Sequence, residues 1–424
     1  MMHRLKGPAA VAALFLLTAA PLAHADIVVT RDGKVLPEKV ADKVTRDEWP
    51  SDEALQDSGR GNIELRYDRV KVGRDAINAG FVADVYLTES SRNATFNNAQ
   101  NQARAEFWAQ AANSFQAAAD ELKDGDRQLA MWLRLTCLRN AGDVDATEAA
   151  ANELTTAFPE GYYTPQSMMV LARVAIARGK LADAKALLQK VAALPGLNAR
   201  DVFEAAVSEI DWFVFPAARN AADYAAAERA YRDLIQKIKG KGAASEAAIP
   251  LFKAQVGVGK SLVAQGKPKE AAPFFNDVVT NPASLADTSL LAAAYRGLGD
   301  VVYLDVQARK AGAGKDQAAA LIADLDQAAL HYMRVCHFYR GDAGDSLQPA
   351  WQSGAQVFEW QFELGGARDA KALALLERSI AMYYQAHKLM GGGEAKRQLT
   401  AHIRELIERR DELRAELAGG ETKN

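Results

Sequence analysis

The stretch Ala254–Ser261, AQVGVGKS, fits a relaxed spelling of a phosphate-binding loop, with Ala254 in place of its first glycine. Such a loop works only where a buried strand precedes it and a helix follows, so that free backbone amides can cradle phosphate. The preceding residues Ile249–Lys253 are too few for that strand, carry Pro250, and have no partner strand in the surrounding sequence. No strand-borne aspartate is available for a magnesium ion. A second candidate is Cys336-His337 with His331, which could suggest a thiol enzyme or a metal site. Adjacent residues on a helix diverge, and positions six apart do not share a face. Neither a Cys-x-x-Cys nor a His-Glu-x-x-His spelling occurs. His387 and His402 stand alone and are expected at the surface. The expectation is no catalytic residues, no metal and no cofactor, hence not an enzyme. Cys137 and Cys336 are about 200 residues apart in helical patterns, and a disulfide needs Cα atoms within about 7 Å. Two buried free thiols are expected.

The elements that hold these residues follow from composition and period. The 424 residues are 49% hydrophobic, enough for more than one compact core. Abundant alanine favours helix. The net charge of −3, from 51 basic and 54 acidic residues, argues against a dedicated nucleic-acid binder. At the N-terminus, His3, Arg4 and Lys6 precede the apolar run Ala9–Ala20 and then Ala23-His24-Ala25. This pattern reads as a signal peptide over residues 1–25, cleaved after Ala25, and implies an exported protein, periplasmic or secreted. No later apolar run is long enough for a transmembrane helix in the mature chain.

Residues 26–72 are expected to form a small β module of four or five strands, an SH3-like barrel or an open sheet. Ile27–Thr30 is β-prone, Asp32-Gly33 is a hairpin turn signal, and Ile63–Val72 alternates polar and apolar. Residues 73–95 read as a connector, with Asn93-Ala94-Thr95 a polar loop or helix N-cap. Helical periodicity then runs over residues 96–390. Its clearest unit is Val256–Pro282: Val258, Gly259 and Leu262 share one face, Gly266 breaks the chain, and Ala271, Phe275 and Val278 share the next. The pattern of Val202–Ile210 is expected to end at Trp212-Phe213-Val214-Phe215-Pro216. Residues 391–424 read as a glycine hinge, a capping helix with Leu399, Ile403, Leu406, Leu413 and Leu417 on one stripe, and a tail.

Several of these segments resemble tetratricopeptide (TPR) repeats. Val258-Gly259 with Leu262, followed by Ala271, Phe275 and Val278, matches the two helices of that family's hairpin. Met168, Leu171-Ala172 and Ala175, with Ala184, Leu188 and Val191, match equally well, and Tyr295, Leu298-Gly299 and Val302 give a further first helix. The family repeat is about 34 residues, whereas the intervals from Ala184 to Ala227 and from Ala227 to Ala271 are both longer. Extra turns or longer loops are therefore expected. A β unit ahead of such repeats is also similar to an architecture of exported bacterial proteins.

The resemblance implies a mainly α fold, a helical-hairpin solenoid wound as a right-handed superhelix and preceded by a small β unit. It also implies a partner-binding concave face formed by first helices. In that register Met169 and Arg173 face it, as do Lys253, Val256 and Lys260, and then Arg296, Asp300 and Tyr303. This mixed surface with a basic bias suits an extended peptide of some acidic character. The family's clamp for a chain-terminal carboxylate uses asparagine where this chain has Val170, Gly257 and Gly297, so that mode is not expected. The implied function is a non-enzymatic scaffold for a protein or peptide partner. The alternative is an assembly subunit, a homo-oligomer formed through the solenoid or the terminal helix.

Overall fold

A computed structural model describes residues 27–30, 35–36, 63–72, 75–79, 82–87, 90, 93–310, 314, 317–341 and 344–421. The expected export signal at residues 1–25 and the Asp32-Gly33 turn lie outside them. The described residues divide into two compact units, with divisions after Glu209, Lys237 and Pro250.

Among the described residues the first unit begins with six short strands. β1 (Ile27–Thr30), β2 (Val35–Leu36) and β6 (Val82–Tyr86) make one antiparallel sheet in the order β2-β1-β6. β3 (Ile63–Leu65), β4 (Arg69–Val72) and β5 (Asp75–Asn78) make another. The alternation sorts the faces: Leu65, Tyr67 and Val70 are buried, while Glu64, Arg69 and Lys71 are exposed. The structure corrects two expectations here. Strands β5 and β6 lie within the stretch read as a connector, and the described residues form two three-stranded sheets where one barrel or one open sheet was expected. A strand of four or five residues carries too few alternations to stand out from a loop. Val28, Leu65, Val70, Ala79, Val82 and Leu87 share one core with Tyr162 from the helical part.

Helices complete the β module, which is small for independent stability. The backbone N–H of Tyr162 donates to the Leu65 carbonyl at 3.3 Å, and that of Tyr67 to the Glu160 carbonyl at 3.2 Å. The Asn198 side-chain amide donates to the Tyr67 carbonyl at 3.0 Å. Asp201, itself buried, accepts from Asn198 at 2.8 Å and from Gln166 at 3.0 Å. These bonds satisfy backbone groups that a short strand would otherwise leave unpaired.

The helices of this unit are α1 (Ala94–Arg104), α2 (Trp108–Glu121), α3 (Asp124–Ala141), α4 (Val144–Ala157), α5 (Thr164–Ala177), α6 (Leu181–Ala192) and α7 (Ala199–Glu209). Asn93 is the N-cap of α1, its side chain accepting from the Phe96 N–H at 2.7 Å. Consecutive helices pack on one another. Gly142 (φ 76°) and Gly179 (φ 73°) turn the chain after α3 and α5 in the left-handed conformation that glycine tolerates.

The second unit opens on a π-helical segment, Ile210–Val214, and continues into α8 (Phe215–Ala221). The expected stop at Pro216 is thus corrected. The proline sits in the first turn of α8, where its missing N–H costs no helical bond. Then follow α9 (Tyr224–Gly240), α10 (Ala248–Ala264), α11 (Pro268–Thr280), α12 (Thr288–Lys310), and α13 (Ala318–Met333) with a π-helical continuation over Arg334–Phe338. The last helices are α14 (Leu347–Gly365), α15 (Ala370–Leu389) and α16 (Glu394–Glu421). The architecture is mainly α, a TPR-like series of tandem helical hairpins preceded by a small β unit.

Close packing depends on glycines that face rings. A Cβ on Gly259 of α10 would lie 2.5 Å from the Phe275 ring of α11, and one on Gly297 of α12 would lie 2.4 Å from the same ring. Gly257 faces Tyr231 and Gly299 faces Tyr332 in the same way. The glycine pair Gly257/Gly259 of α10 thus recurs as Gly297/Gly299 in α12, the next first helix. In α16, Leu399, Ile403, Leu406 and Leu413 are buried in the core of this unit. Among the described residues no helix is long and apolar enough to cross a membrane.

Candidate partner-binding surfaces

The phosphate-loop spelling lies inside α10, with Gly257 and Gly259 both buried against rings. Helical hydrogen bonding consumes the amides that would hold phosphate, so this stretch is a packing element. Cys137 and Cys336 are free and buried, and burial pushes their thiols up to about 11 and about 12. Neither is a reactive thiolate at neutral pH. His331 is half-buried on α13 and stacks against Tyr295 at 6.1 Å. Burial, followed by the nearby Arg334, lowers its pKa to about 4. His337 packs edge-on against Trp351 at 5.4 Å. Among the described residues no group of three or more His, Cys, Asp or Glu could hold a metal ion.

In the first unit, Met169 is half-buried and Arg173 is exposed, both on α5. Arg139, on α3, was not singled out from the sequence. It precedes Arg173 by one family repeat, so the two hold equivalent positions on successive first helices. Burial of its flanks, and then the charge of Arg173, lower the Arg139 pKa. Between these two helices, Leu135 and Val170 share a core cluster, and Trp132 stacks on Tyr163 at 5.3 Å.

In the second unit, Lys253 pairs with Asp287 at 3.6 Å. Val256 was expected on the surface but is 3% exposed, so it packs inward and has no contact area to offer. Lys260 is exposed, and its pKa is lowered. Crowding by protein is the main cause; Asp211 opposes it, Arg296 adds to it, and Asp345 and Asp300 oppose it. Arg296 pairs with Asp300 at 3.5 Å. Burial raises the Asp300 pKa against the opposing pull of Arg296, the Tyr332 hydroxyl and Lys260. Tyr303 stacks on Trp360 of α14 with ring centres 4.4 Å apart, and Lys310 lies over that indole at 4.6 Å. The structure therefore gathers Lys260, Arg296 and Asp300 into one cluster. The expected basic bias is absent there, because carboxylates surround each cation.

A second pattern went unread in the sequence. Tyrosines of second helices donate to carboxylates earlier in the chain: Tyr231 to Asp211 of the π-helical segment at 2.5 Å, Tyr332 to Asp300 of α12 at 2.8 Å, and Tyr383 to Glu359 of α14 at 3.1 Å. In the hairpin α10/α11 the ring is Phe275, without a hydroxyl. Lys260 follows Gly259 as Asp300 follows Gly299, so the lysine holds the position that the carboxylate takes in the next hairpin. A tyrosine in place of the usual packing ring, with an acid on the first helix, was the available signal. His402 and His387 were expected to be isolated at the surface. His402 Nε2 instead donates to Glu359 at 3.0 Å, and His387 bonds Thr400 at 3.1 Å.

The sequence matches no protein-family model and no curated protein. Among solved structures, a tetratricopeptide repeat protein from Parabacteroides merdae is 13% identical, with 74% of this chain and 99% of that chain covered and a TM-score of 0.41. Human IFIT1, in a dimer with m7Gppp-AAAA, is 13% identical, with 75% of this chain and 82% of that chain covered and a TM-score of 0.29.

Proposed function

We propose that this chain is a non-enzymatic exported scaffold that holds a protein or peptide partner on the first-helix faces of its TPR-like hairpins. The observation that carries this reading is the cluster of Lys260, Arg296 and Asp300. Tandem hairpins bury their ring-and-glycine faces against each other and leave the first-helix positions after those glycines to charged side chains. Arg173 and Lys260 are the partner contacts in this reading, with Met169, Lys253, Arg296, Asp300 and Tyr303 beside them in their respective units. Export through residues 1–25 goes with it. N-terminal sequencing of the mature protein should give Asp26 first, and an intact N-terminus would remove export.

The test is recovery of a partner, identified by mass spectrometry, on immobilised wild-type chain and on the Arg173→Glu and Lys260→Glu variants. Both side chains are exposed, so the changes report on the surface and spare the core. Loss of a specific partner in either variant is the expected result. Unchanged recovery in both would remove these contacts. Self-association through α16 is weaker as a reading, because burial of Leu399, Ile403, Leu406 and Leu413 leaves that helix little apolar surface.

A further inference from the structure

Three glycines in a row, Gly391, Gly392 and Gly393, join α15 to α16. Only Gly393, at φ 121°, holds a backbone conformation that asks for glycine. A Cβ on Gly391 or Gly392 would meet nothing within 4 Å, so neither packing nor backbone conformation explains them. Both are exposed, and among the described residues their backbone groups make no hydrogen bond. They line a cavity of about 490 Å³ that lies wholly within the second unit, a size common in ligand sites. Leu347 and Pro349 from the first turn of α14, with Leu389 and Met390 from the end of α15, give it an apolar wall. Leu389 is 49% exposed. Two charged side chains line it as well. The Lys396 ammonium is committed to the Met390 carbonyl at 3.0 Å. Asp345 is exposed, and its carboxylate makes no hydrogen bond or ion pair among the described residues; Lys260 senses its charge from beyond ion-pair distance.

We infer that this cavity takes a basic-aliphatic segment of the protein partner. A Lys or Arg side chain of that segment pairs with Asp345. A neighbouring aliphatic side chain lies on the wall of Leu347, Pro349, Leu389 and Met390, and the peptide main chain runs along Gly391-Gly392. This rests on the partner-binding reading above and adds a second point of contact, opposite in charge to Lys260. An unpaired carboxylate beside apolar surface selects a cation on an aliphatic stem, because such a side chain lays its methylenes on the wall and keeps its head at the charge. Bare backbone lets another main chain approach closely, and its free amide groups are there to pair with it. A small amine would leave those backbone groups unused. An acidic segment would meet repulsion from Asp345.

Fluorescence anisotropy on the full mature chain tests this, with a labelled, C-terminally amidated peptide Ala-Leu-Lys-Leu-Ala. One comparison peptide has Gln for Lys, and another has Ala for both Leu. The wild type should bind the first peptide and bind each comparison about tenfold less tightly. Asp345→Asn should weaken binding by a similar factor, whereas Asp183→Asn, at an exposed acid of the first unit, should leave it as it is. Gly392→Leu should abolish binding by filling the cavity while melting as the wild type does, because its side chain enters open space; Gly391→Leu repeats that test at the neighbouring position. Equal binding of the Lys and Gln peptides overturns the site, as do unchanged binding in Asp345→Asn and both Leu variants, an equal loss in Asp183→Asn, or no binding of the first peptide to the wild type. Full displacement of the peptide by n-hexylamine would assign the cavity to a small amine and overturn the peptide reading. The broader reading fails separately: a partner lost in Lys260→Glu but held by Asp345→Asn and Gly392→Leu removes this cavity and leaves the scaffold standing.

Discussion

The hydroxyl of Tyr332, on α13, donates to the carboxylate of Asp300, on α12, across 2.8 Å. The ring passes the place where a Cβ on Gly299 would sit, 2.7 Å from its Cε1 atom, so the glycine lets the hydroxyl reach the carboxylate. Tyr231, which bonds Asp211, packs its ring against Gly257 of the following helix, α10. Each such bond satisfies a phenol that the core would otherwise strand. It also fixes a carboxylate at the first-helix face.

Tyr332→Phe keeps the ring and deletes the donor. A hydrogen bond to a charged group contributes about 1.5–3 kcal/mol, so urea unfolding should show a loss of that order. A double cycle with Asp300→Asn should recover most of it as coupling. Additive effects of the two changes would mean that the pair is incidental.

Gly259→Ala tests the packing assignment of the GKS stretch. The new methyl would meet the Phe275 ring at 2.5 Å, and overpacking of this kind costs about 1–3 kcal/mol. Phe275→Leu in the same chain should relieve part of the clash, so the double variant melts above the sum of its parts. A melting temperature unaffected by Gly259→Ala would show that the helices separate freely here.

The glycine and the ring were legible because packing has a period: Val258, Gly259, Leu262, Ala271, Phe275 and Val278 are six positions of one pattern, and all are buried. Polar pairing has no period. Arg139 and Arg173 recur at the family spacing, but nothing in the spelling around Arg139 marks it. Glu359 and His402 are distant in sequence and meet only because α16 folds back over α15 and α14. Strands β5 and β6 were hidden for another reason. Their pairing partners supply the β context, and each strand alone spans only two alternations or little more.

The stability of the second unit should fall as the pH drops below the ordinary histidine range, with His331 as a cause. Its folded pKa, about 4, lies below the usual value of about 6.5. A depressed pKa means that the unfolded chain takes the proton first. The contribution is therefore fully present above about pH 6.5 and lost as the pH falls toward 4. His331→Phe cannot take that proton, so its melting temperature should decline less over this window than that of the wild type. Parallel declines would clear His331 of the effect.

Glu359 is the junction through which α16 is tied to the rest of its unit. It is 7% exposed and accepts from Tyr383 of α15 at 3.1 Å and from His402 of α16 at 3.0 Å, with Arg409 of α16 at 3.9 Å. Removing such an acceptor strands the buried Tyr383 hydroxyl, at about 1–3 kcal/mol. Glu359→Ala should therefore cost more than His402→Ala, whose loss leaves Glu359 with two partners. Glu359→Gln, which keeps an acceptor oxygen, should fall between wild type and Glu359→Ala. Hydrogen exchange would locate the effect. Amides of α16 should exchange faster in Glu359→Ala while those of α10 and α11 hold, because the buried leucine stripe is the other tether of that helix and opens with it. Uniform acceleration over the whole second unit would show that Glu359 supports the core at large, and unchanged exchange in α16 would show that the leucines alone hold it.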